Sequence, residues 1–550
     1  MALAPACPTR FVAARARTRG RARRPRLARR EHCLKALGLV GGLVSGLVVA
    51  GAPAIARADQ GSIFFGNEAA LRAGAINAMV RDGSAAWYNP AGLSAIKATN
   101  LDVSLNLYGL RLRRVPDGHL LRFPDGDVGG DYRHLDVYVI PSAVVFSKRF
   151  RPGLVGGVSV FVTESNSFSF QTEFHGVPHS IASGADAGDW QTDHVLDMQV
   201  NSRTYAVGPS LGWIVTPKVR LGLSLHGIYR YGESSYQLWS HSAQQTEDGA
   251  GGSHVLAQSR LRDLDTQLGV MLTFGLQASP TERFNFGFTI RSPQLVLISW
   301  PGISLTESRA YTNEAGVTDV INTNFPERDA TLRGDFDILA NVRVDAGFAY
   351  HWDKVSWSGD LNLRPRNPTS FFSRRFATTT FSARMGFLVP LGDLVTLGTG
   401  VYMDRSGAEA GPFSQPFLGK GDGKDFSSVD APELFVEDVD FYGLTLGVRL
   451  ERRLWRRLME GPKGWKELAE GEWSKQKEDI YASKVSLTTT IGLRYALGHG
   501  TVTGTAYEFG RDPATIEPER AISNTVPLTL RALEVFSHDF TLYLGTQLTF

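Results

Sequence analysis

Residues 100–112, NLDVSLNLYGLRL, alternate strictly between apolar and polar side chains. An extended chain separates these side chains onto two faces, with Leu101, Val103, Leu105 and Leu107 on one and Asp102, Ser104, Asn106 and Tyr108 on the other. A period of two predicts a β-strand, because successive side chains of a strand point to opposite sides. The stretch therefore predicts a long strand with one apolar face and one polar face.

The same alternation recurs along the chain in sixteen runs. These runs are 101–112, 134–148, 155–172, 196–215, 219–235, 259–277, 283–291, 340–350, 355–363, 378–389, 394–404, 437–450, 484–497, 500–509, 526–535 and 539–550. If 526–535 and one other run are loop or belong to a neighbouring strand, fourteen strands remain. Either even number returns both chain ends to the same side of a barrel.

The breaks between runs are short at one end and long at the other. Short breaks occur at 215–219, 278–282, 351–354 and 390–393, and long polar stretches at 114–132, 174–193, 237–257, 298–338 and 405–436. Short turns opposite long loops, joining strands of about ten residues, are typical of a transmembrane β-barrel. The sequence therefore predicts an all-β fold, an antiparallel transmembrane barrel of about 14 or 16 strands.

Two other fold classes fit less well. Beyond the first sixty residues no apolar run approaches the roughly twenty residues of a membrane-spanning helix, which argues against a helical membrane protein. An exported β-sandwich or propeller would explain the alternation. It would not explain charged residues along so many long strands beside an apolar face.

The N-terminus predicts a secretory signal peptide over residues 1–58. A basic region precedes the apolar run 36–52, and Ala56 and Ala58 suit a cleavage site; a membrane anchor is the alternative. The leader would take with it 12 of the 58 basic residues, one of the 55 acidic residues and both cysteines, Cys7 and Cys33, so the mature net charge would be about −8. A cysteine-free exported chain needs neither disulfides nor a thiolate metal site.

Residues 59–98 lie between this leader and the first strand. They are mostly small, too apolar for a free tail and too rich in glycine for a long helix, so we expect them to pack in the barrel lumen. Residues 74–96, GAINAMVRDGSAAWYNPAGLSAI, resemble the N-terminal hatch of the FadL-like outer-membrane transporters of long-chain fatty acids and hydrocarbons. The matching positions are Gly74, Ala78, Asp82, Ser84, Ala85, Asn89, Pro90, Ala91, Gly92 and Leu93.

The resemblance implies an outer-membrane channel for hydrophobic small molecules, long-chain fatty acids first among them, with a hatch that shifts and a sideways exit into the bilayer. It implies that Asn89, Pro90, Ala91 and Gly92 form the gating bend. Phe64 and Phe65 are expected to contact ligand, although packing is an equal interpretation. A wall kink is expected on the third strand at Gly156 and Gly157, where glycine would weaken pairing. Hydrocarbon uptake and a non-specific porin or structural barrel are the alternatives.

The remaining expectations concern localisation and partners. The last residues, 539–550, alternate and stop on Phe550; they resemble the C-terminal strand of outer-membrane barrels, which the barrel-assembly machinery reads through a final aromatic. Residues 451–482 predict an amphipathic insertion at a membrane surface or a solvated loop. We expect a monomer in the outer membrane of a Gram-negative bacterium, contacting membrane lipid and binding no nucleic acid.

No chemistry beyond transport is indicated. The 12 histidines show no local pattern of a Ser-His pair with an orienting group, so the sequence predicts no enzyme and no catalytic residue. His175 and His179 alone are a weak metal site. Neither a metal nor another cofactor is expected.

Overall fold

The computed structural model describes residues 63–123, 126–181, 188–246, 252–312, 318–325, 338–340, 342–352, 355–366, 378–392, 394–407, 437–451, 486–508 and 529–549. The helical elements are α1 (Asn67–Leu71), α2 (Ala85–Tyr88) and a 3₁₀ helix (Pro90–Ala95). The strands are β1 (Asn100–Phe123), β2 (Gly126–Arg151), β3 (Leu154–Ile181), β4 (Gly188–Thr216), β5 (Val219–Gln244), β6 (His254–Ala278), β7 (Phe284–Arg291), β8 (Gln294–Thr312), β9 (Thr318–Phe325), β10 (Ile338–Ala340), β11 (Arg343–Trp352), β12 (Val355–Arg364), β13 (Thr380–Pro390), β14 (Val395–Asp404), β15 (Glu437–Leu450), β16 (Ser486–Glu508) and β17 (Thr529–Thr549). No helix in the described part is long and apolar enough to cross a membrane.

These segments form one closed antiparallel barrel. β7 and β8 both pair with β6 and are separated only by Ser292 and Pro293, so they form one wall strand. β9 and β10 pair with β8, and β11 pairs with β7, which makes these three segments the next wall strand. β17 pairs antiparallel with β1 and closes the ring, giving 14 wall strands among the described residues.

The lower of the two predicted strand counts is therefore confirmed. The described parts of the runs 484–497 and 500–509 belong to β16, and the described parts of the runs 526–535 and 539–550 belong to β17. The four predicted short turns lie at strand connections of the structure. Phe550, the leader 1–58 and residues 452–482 of the insertion lie outside the described residues.

The two faces of the wall follow the alternation, with the polar face inside. On β1, Arg111 and Arg113 are buried, whereas Leu110 and Leu112 are 36% and 40% exposed. The same arrangement, with polar side chains inside and apolar side chains outside, holds around the ring, because large apolar side chains are exposed on many strands. Aromatic side chains such as Trp352, which is 67% exposed, mark the end with the short turns. An outward apolar band with aromatic girdles is the surface of a membrane-spanning barrel.

Four of the predicted loops are largely strand, which corrects the sequence analysis. Strands β1 to β6 run for 24 to 29 residues, although about ten suffice to cross a bilayer. They occupy most of the described residues of 114–132, 174–193 and 237–257, and β8 and β9 do the same in 298–338. Backbone hydrogen bonds sustain a hairpin ladder without an apolar face, so polar composition alone did not reveal these extensions.

Candidate functional site inside the barrel

The N-terminal segment, residues 63–96, lies within the ring of strands. Nearly all of its side chains are buried. Its hydrogen-bonded partners on the wall are spread around the ring and include Ser104 on β1, Ser224 on β5, Leu276 on β6, Arg291 on β7 and Ser358 on β12. A segment bonded to strands on all sides of a closed barrel fills its lumen at that level.

Asn89 joins the segment to the wall. Its Nδ2 atom donates to the carbonyl oxygen of Leu276 on β6 and to both oxygens of Asn77, each at 2.9 Å. Its Oδ1 atom accepts from the Ala91 N–H at 3.2 Å, so Asn89 also caps the 3₁₀ helix that begins at Pro90. Asparagine suits a cap because its short side chain reaches the free N–H groups of the first turn. Asn89 is completely buried.

Asn77 extends this network further around the wall. Its backbone N–H and that of Ile76 both donate to Asp360 Oδ2 on β12, at 2.9 and 2.8 Å. Its side-chain oxygen accepts from the Thr289 hydroxyl at 2.8 Å. Sequence reasoning missed Asn77, although it stands within the hatch-like stretch, because nothing in an isolated Asn predicts a partner 200 residues away.

Pro90, Ala91 and Gly92 make the close contacts that the bend requires. Proline at the first position of the 3₁₀ helix has no N–H to satisfy and a φ suited to the turn. A Cβ atom on Gly92 would overlap the Val80 carbonyl oxygen, and one on Gly222 of β5 would overlap the backbone of Pro90 and Ala91. Glycine on both sides therefore lets the bend touch the wall backbone.

Glycines line the inner wall in register at this level. Gly212, Gly222 and Gly275 pair across β4, β5 and β6, and other cross-strand rows join Gly287 to Gly347, Gly386 to Gly400, and Gly398 through Gly447 to Gly492. At most of these positions an added Cβ would fall closer than van der Waals contact to the N-terminal segment. The rows give a smooth inner surface on which the segment packs, backbone against backbone.

Phe65 belongs to a buried aromatic cluster with the wall. Its ring centroid lies 5.6 Å from that of Trp87 and 5.1 Å from that of Phe161 on β3, and the Trp87 and Phe161 rings are 5.4 Å apart. The Phe65 N–H donates to the Tyr88 hydroxyl at 3.2 Å. Burial raises the pKa of Tyr88 above its ordinary value. We name Phe65, Trp87 and Phe161 the aromatic cluster.

Phe64 faces a different environment. Its ring makes an edge contact with Tyr402 at 5.4 Å, and the guanidinium carbons of Arg384 and Arg494 lie 5.6 and 5.5 Å from its centroid. Cations within about 6 Å of an aromatic face are attracted to it. The neighbouring phenylalanines, which the sequence treats alike, thus pack in separate places, one among arginines and one among aromatic rings.

The wall is interrupted on β3, but not at the predicted glycines. Gly156 pairs with Lys148 and Leu211, and Gly157 with Ser147 and Ser210, so both are held from both sides. Backbone pairing needs no side chain, and the absence of a Cβ at Gly156 makes room for the Phe150 ring. Both glycines therefore keep their pairing, and a kink of the strand at these two residues stays a prediction.

The interruption begins at Phe161. Among the described residues, the β2–β3 ladder ends at the pair Ala143 and Phe161. Beyond it β2 pairs only with β1 and β3 only with β4, and the β3–β4 register shifts between Val162 and Glu164. The aromatic cluster therefore packs against the wall where adjacent strands part, eight residues above the β2–β3 turn.

A polar cleft lies beside Tyr88 and Gly74. Three wall arginines line it, Arg291, Arg343 and Arg384, with Asp345 and Asp360. Arg343 binds Asp345 at 3.0 Å, and Arg384 binds Asp404 at 2.9 Å. Arg291 instead donates to the Trp87 carbonyl oxygen at 2.7 Å, with its guanidinium 4.1 Å from the Trp87 ring. It is buried and forms no ion pair within 4 Å among the described residues, although the charge of Asp345 in the same cleft acts on it.

Charges within the N-terminal segment are also buried. The Arg72 guanidinium donates to the hydroxyls of Ser356 and Ser358 on β12, and burial lowers the pKa of Arg72 to about 10. Asp82 accepts from the backbone N–H and the hydroxyl of Ser84. Burial, and next the nearby charge of Glu68, raise the pKa of Asp82 to about 6.

A Ser-His contact that the sequence did not reveal lies beneath Trp87. Ser159 Oγ on β3 is 3.1 Å from His226 Nε2 on β5, and Ser159 also bonds to the Gly208 carbonyl oxygen. Both residues are buried, and no described residue bonds to His226 Nδ1 to orient the ring. A nucleophilic serine needs such a third group and access for substrate, so the pair has the features of packing.

His175 and His179 are in different surroundings. The His175 side chain is exposed beside Glu173, whereas His179 is buried and stacks on Phe123 at 4.5 Å. Among the described residues, no group of three side chains of the metal-binding types is placed to hold an ion. Neither histidine therefore contributes to the site inside the barrel.

Comparisons with known proteins give likenesses at the level of structure only. No family model and no curated protein matches the sequence. A Pseudomonas aeruginosa FadL homologue is 12% identical over 90% of this chain and 99% of its own, with a TM-score of 0.46. The P. putida toluene transporter TodX is 9% identical over 90% and 99%, with a TM-score of 0.47.

The Ralstonia pickettii toluene transporter TbuX is 13% identical over 88% of this chain and 98% of its own, with a TM-score of 0.43.

Proposed function

We propose that the protein is an outer-membrane uptake channel for hydrophobic small molecules, with long-chain fatty acids as its main substrates. In this proposal the N-terminal segment is a hatch, and Asn89, Pro90, Ala91 and Gly92 form its gating bend. Ligand enters from the extracellular end, passes the hatch when it shifts, and leaves sideways between β2 and β3 into the bilayer. A molecule that prefers lipid to water gains free energy by leaving through the wall.

The observation that carries the proposal is the position of the aromatic cluster. Phe65 and Trp87 of the segment touch Phe161 where the β2–β3 ladder ends. An aromatic lining suits apolar ligands. Because two of the three rings belong to the segment, a shift of the segment would change the lining of the opening, which couples hatch movement to exit.

The arginine-lined cleft favours fatty acids over neutral hydrocarbons. A fatty acid carries a carboxylate, and guanidinium groups bind carboxylates with paired N–H donors. Arg291 lies at both sites, because it lines the cleft and stacks on Trp87 of the aromatic cluster. An acyl chain among the aromatic rings would therefore place its carboxylate within reach of an arginine that forms no direct ion pair among the described residues, although the charge of Asp345 acts on it.

Hydrocarbon uptake is the second candidate. The aromatic cluster contains no charged side chain, and an apolar pocket discriminates weakly between apolar ligands of similar size. Toluene would use the cluster without the cleft. The two candidates therefore differ in whether Arg291 matters.

Uptake of labelled oleate and of labelled toluene by a transporter-deficient Gram-negative host tests the proposal. Expression of the wild type should restore oleate uptake, and the double variant Asn89→Ala/Pro90→Ala should abolish it. Arg291→Gln should lower oleate uptake and leave toluene uptake unchanged. Equal oleate uptake by the wild type and the double variant would show that the segment does not gate uptake. Loss of both oleate and toluene uptake in Arg291→Gln would contradict a specific role of Arg291 in binding the carboxylate.

A porin is the remaining alternative, and conductance separates it from a gated channel. The segment occupies the lumen, so purified protein in planar bilayers should pass neither ions nor small sugars at a steady high rate. Large, steady conductance by the intact protein would favour the porin.

A further inference from the structure

Three carboxylates lie close together where the N-terminal segment meets β1. Asp82 precedes Gly83, whose N–H donates to Asp102 Oδ2 on β1 at 3.0 Å. Glu68, on α1, is close enough for its charge to act on Asp82. Asp82 Oδ2 is buried without a hydrogen bond among the described residues, since the Glu68 amide approaches it without forming one. The contact between segment and wall thus contains a buried carboxylate that has hydrogen bonds from Ser84 on one oxygen but no ion pair among the described residues.

Little positive charge faces this cluster. The other charged or titratable groups on the elements packed around it are Arg81 and Tyr88 in the segment, Arg449 on β15 and Tyr543 on β17. Arg81 is exposed, and Arg449 is 3.5 Å from Glu68. The Tyr543 hydroxyl donates to Ser104 Oγ, which in turn accepts from the Gly66 N–H. Each of these groups is directed elsewhere or to Glu68, so neither Asp82 nor Asp102, which the Gly83 N–H joins, forms an ion pair among the described residues.

We propose that the packing of the N-terminal segment against β1, which we call its seat, is proton-linked. A proton held by the Asp82–Asp102 pair stabilises this seated state, and loss of the proton weakens it. Two neighbouring buried carboxylates are more stable when the pair holds one proton, because the doubly ionised pair repels itself and is poorly solvated. The inference concerns the same segment as the proposed hatch, and its effect on uptake rests on that proposed function.

The direction follows from the raised pKa of Asp82. A carboxyl group whose pKa is raised in the seated state holds its proton more tightly there than in the released state. Its contribution to seating is full below about pH 4 and is lost as the pH rises through about 6. For a rise from 3.8 to about 6, the seating equilibrium should be about tenfold weaker at pH 7.5 than at pH 5.

Hydrogen exchange of full-length barrel in detergent measures the seat directly. Exchange of the amides in residues 63–96 is followed at pH 5 and pH 7.5 and corrected for intrinsic rates with β5 and β6 peptides of the same sample. The segment should lose about tenfold in protection relative to the wall between the two values. Asp82→Asn cannot ionise and should remove this difference. Asp131→Asn, at a partly exposed carboxylate bound to Arg114 and outside the segment, is the control and should keep it.

The outcomes separate this inference from the proposed function. Equal relative protection at the two pH values in the wild type would overturn the proton-linked seat, as would an unchanged tenfold difference in Asp82→Asn. Asp102→Asn provides a second variant should Asp82→Asn fail to show the heat-dependent gel shift of a folded barrel. A protein with the pH difference but no uptake of oleate would keep this inference and lose the transport proposal.

Discussion

Replacement of Asn89 by alanine is the perturbation whose size can be estimated best. The change removes both N–H donors of the side chain, which share three acceptors at 2.9 Å including the wall carbonyl of Leu276, and the cap on the Ala91 N–H. A lost cap costs about 1 kcal/mol. Buried acceptors left without a donor cost about 1–3 kcal/mol. Together these terms weaken the seat of the segment by about 2–4 kcal/mol, or roughly 30- to 1000-fold in its equilibrium.

Proteolysis and hydrogen exchange of the segment in intact barrels would measure this loss. The expected result is faster cleavage and exchange within residues 63–96 of Asn89→Ala, with unchanged exchange in the wall strands. Asn201→Ala, at an exposed position of β4, is the matched control and should resemble the wild type. Equal protection of the segment in Asn89→Ala and wild type would refute the role of Asn89 as the link to the wall.

Three further predictions follow from the site. Gly222→Ala should displace the segment and raise its hydrogen exchange, because the new Cβ would meet the backbone of Pro90 and Ala91. Gly227→Ala on the same strand should leave exchange unchanged, because its Cβ would lie 3.6 Å from the nearest atom, the Val207 carbonyl oxygen; similar effects of both variants would contradict the argument from the glycine rows. Phe161→Ala should change the relative uptake of bulky and slender apolar ligands without changing heat-modifiable gel mobility, whereas Val207→Ala, on the outward face of β4, should change neither. If Phe161→Ala took up all ligands in wild-type proportions, the aromatic cluster would not lie on the route. Arg291→Lys keeps the positive charge but loses the paired N–H donors of the guanidinium, so it should take up oleate at a rate between those of wild type and Arg291→Gln. A rate equal to that of Arg291→Gln would show that positive charge at this position does not by itself support oleate uptake.

Alternation predicts the wall well because the membrane imposes it. A strand such as β1 must present Leu110 and Leu112 to lipid and the alternate residues, Arg111 and Arg113, to the lumen. The period of two is therefore visible in the sequence. The strand count depended on whether runs such as 484–497 and 500–509 are separate. They are one strand, because β16 continues past Gly498 and Gly500 with its pairing to β15 and β17 intact.

The site was only partly predictable. Asn89 and the residues after it stand out through their turn chemistry and through the resemblance to a hatch. Partners such as Leu276, Thr289 and Asp360 come from distant strands, and no local pattern identifies them. The wall break was expected at glycines, yet it begins at Phe161, because pairing there depends on how two whole strands diverge and not on the propensity of one residue.

A reversible lock on the segment tests the central claim most directly. A Cβ built on Gly212 lies 3.0 Å from Leu93 Cβ, about 0.5 Å inside the shortest spacing of a disulfide, and it also meets the backbone of Pro90 and Ser94. Leu93→Cys/Gly212→Cys should therefore cross-link the segment to β4 after a local shift of the segment, whose own effect on uptake the single variant Gly212→Cys measures. The two cysteines of the sequence, Cys7 and Cys33, lie in the predicted leader and should not compete. Oleate uptake is measured on oxidised cells and again after reduction, with each single-cysteine variant as control. The proposed mechanism predicts that oxidation abolishes uptake in the double variant alone and that reduction restores it; equal uptake by the oxidised and reduced double variant would show that ligand passes without movement of the segment.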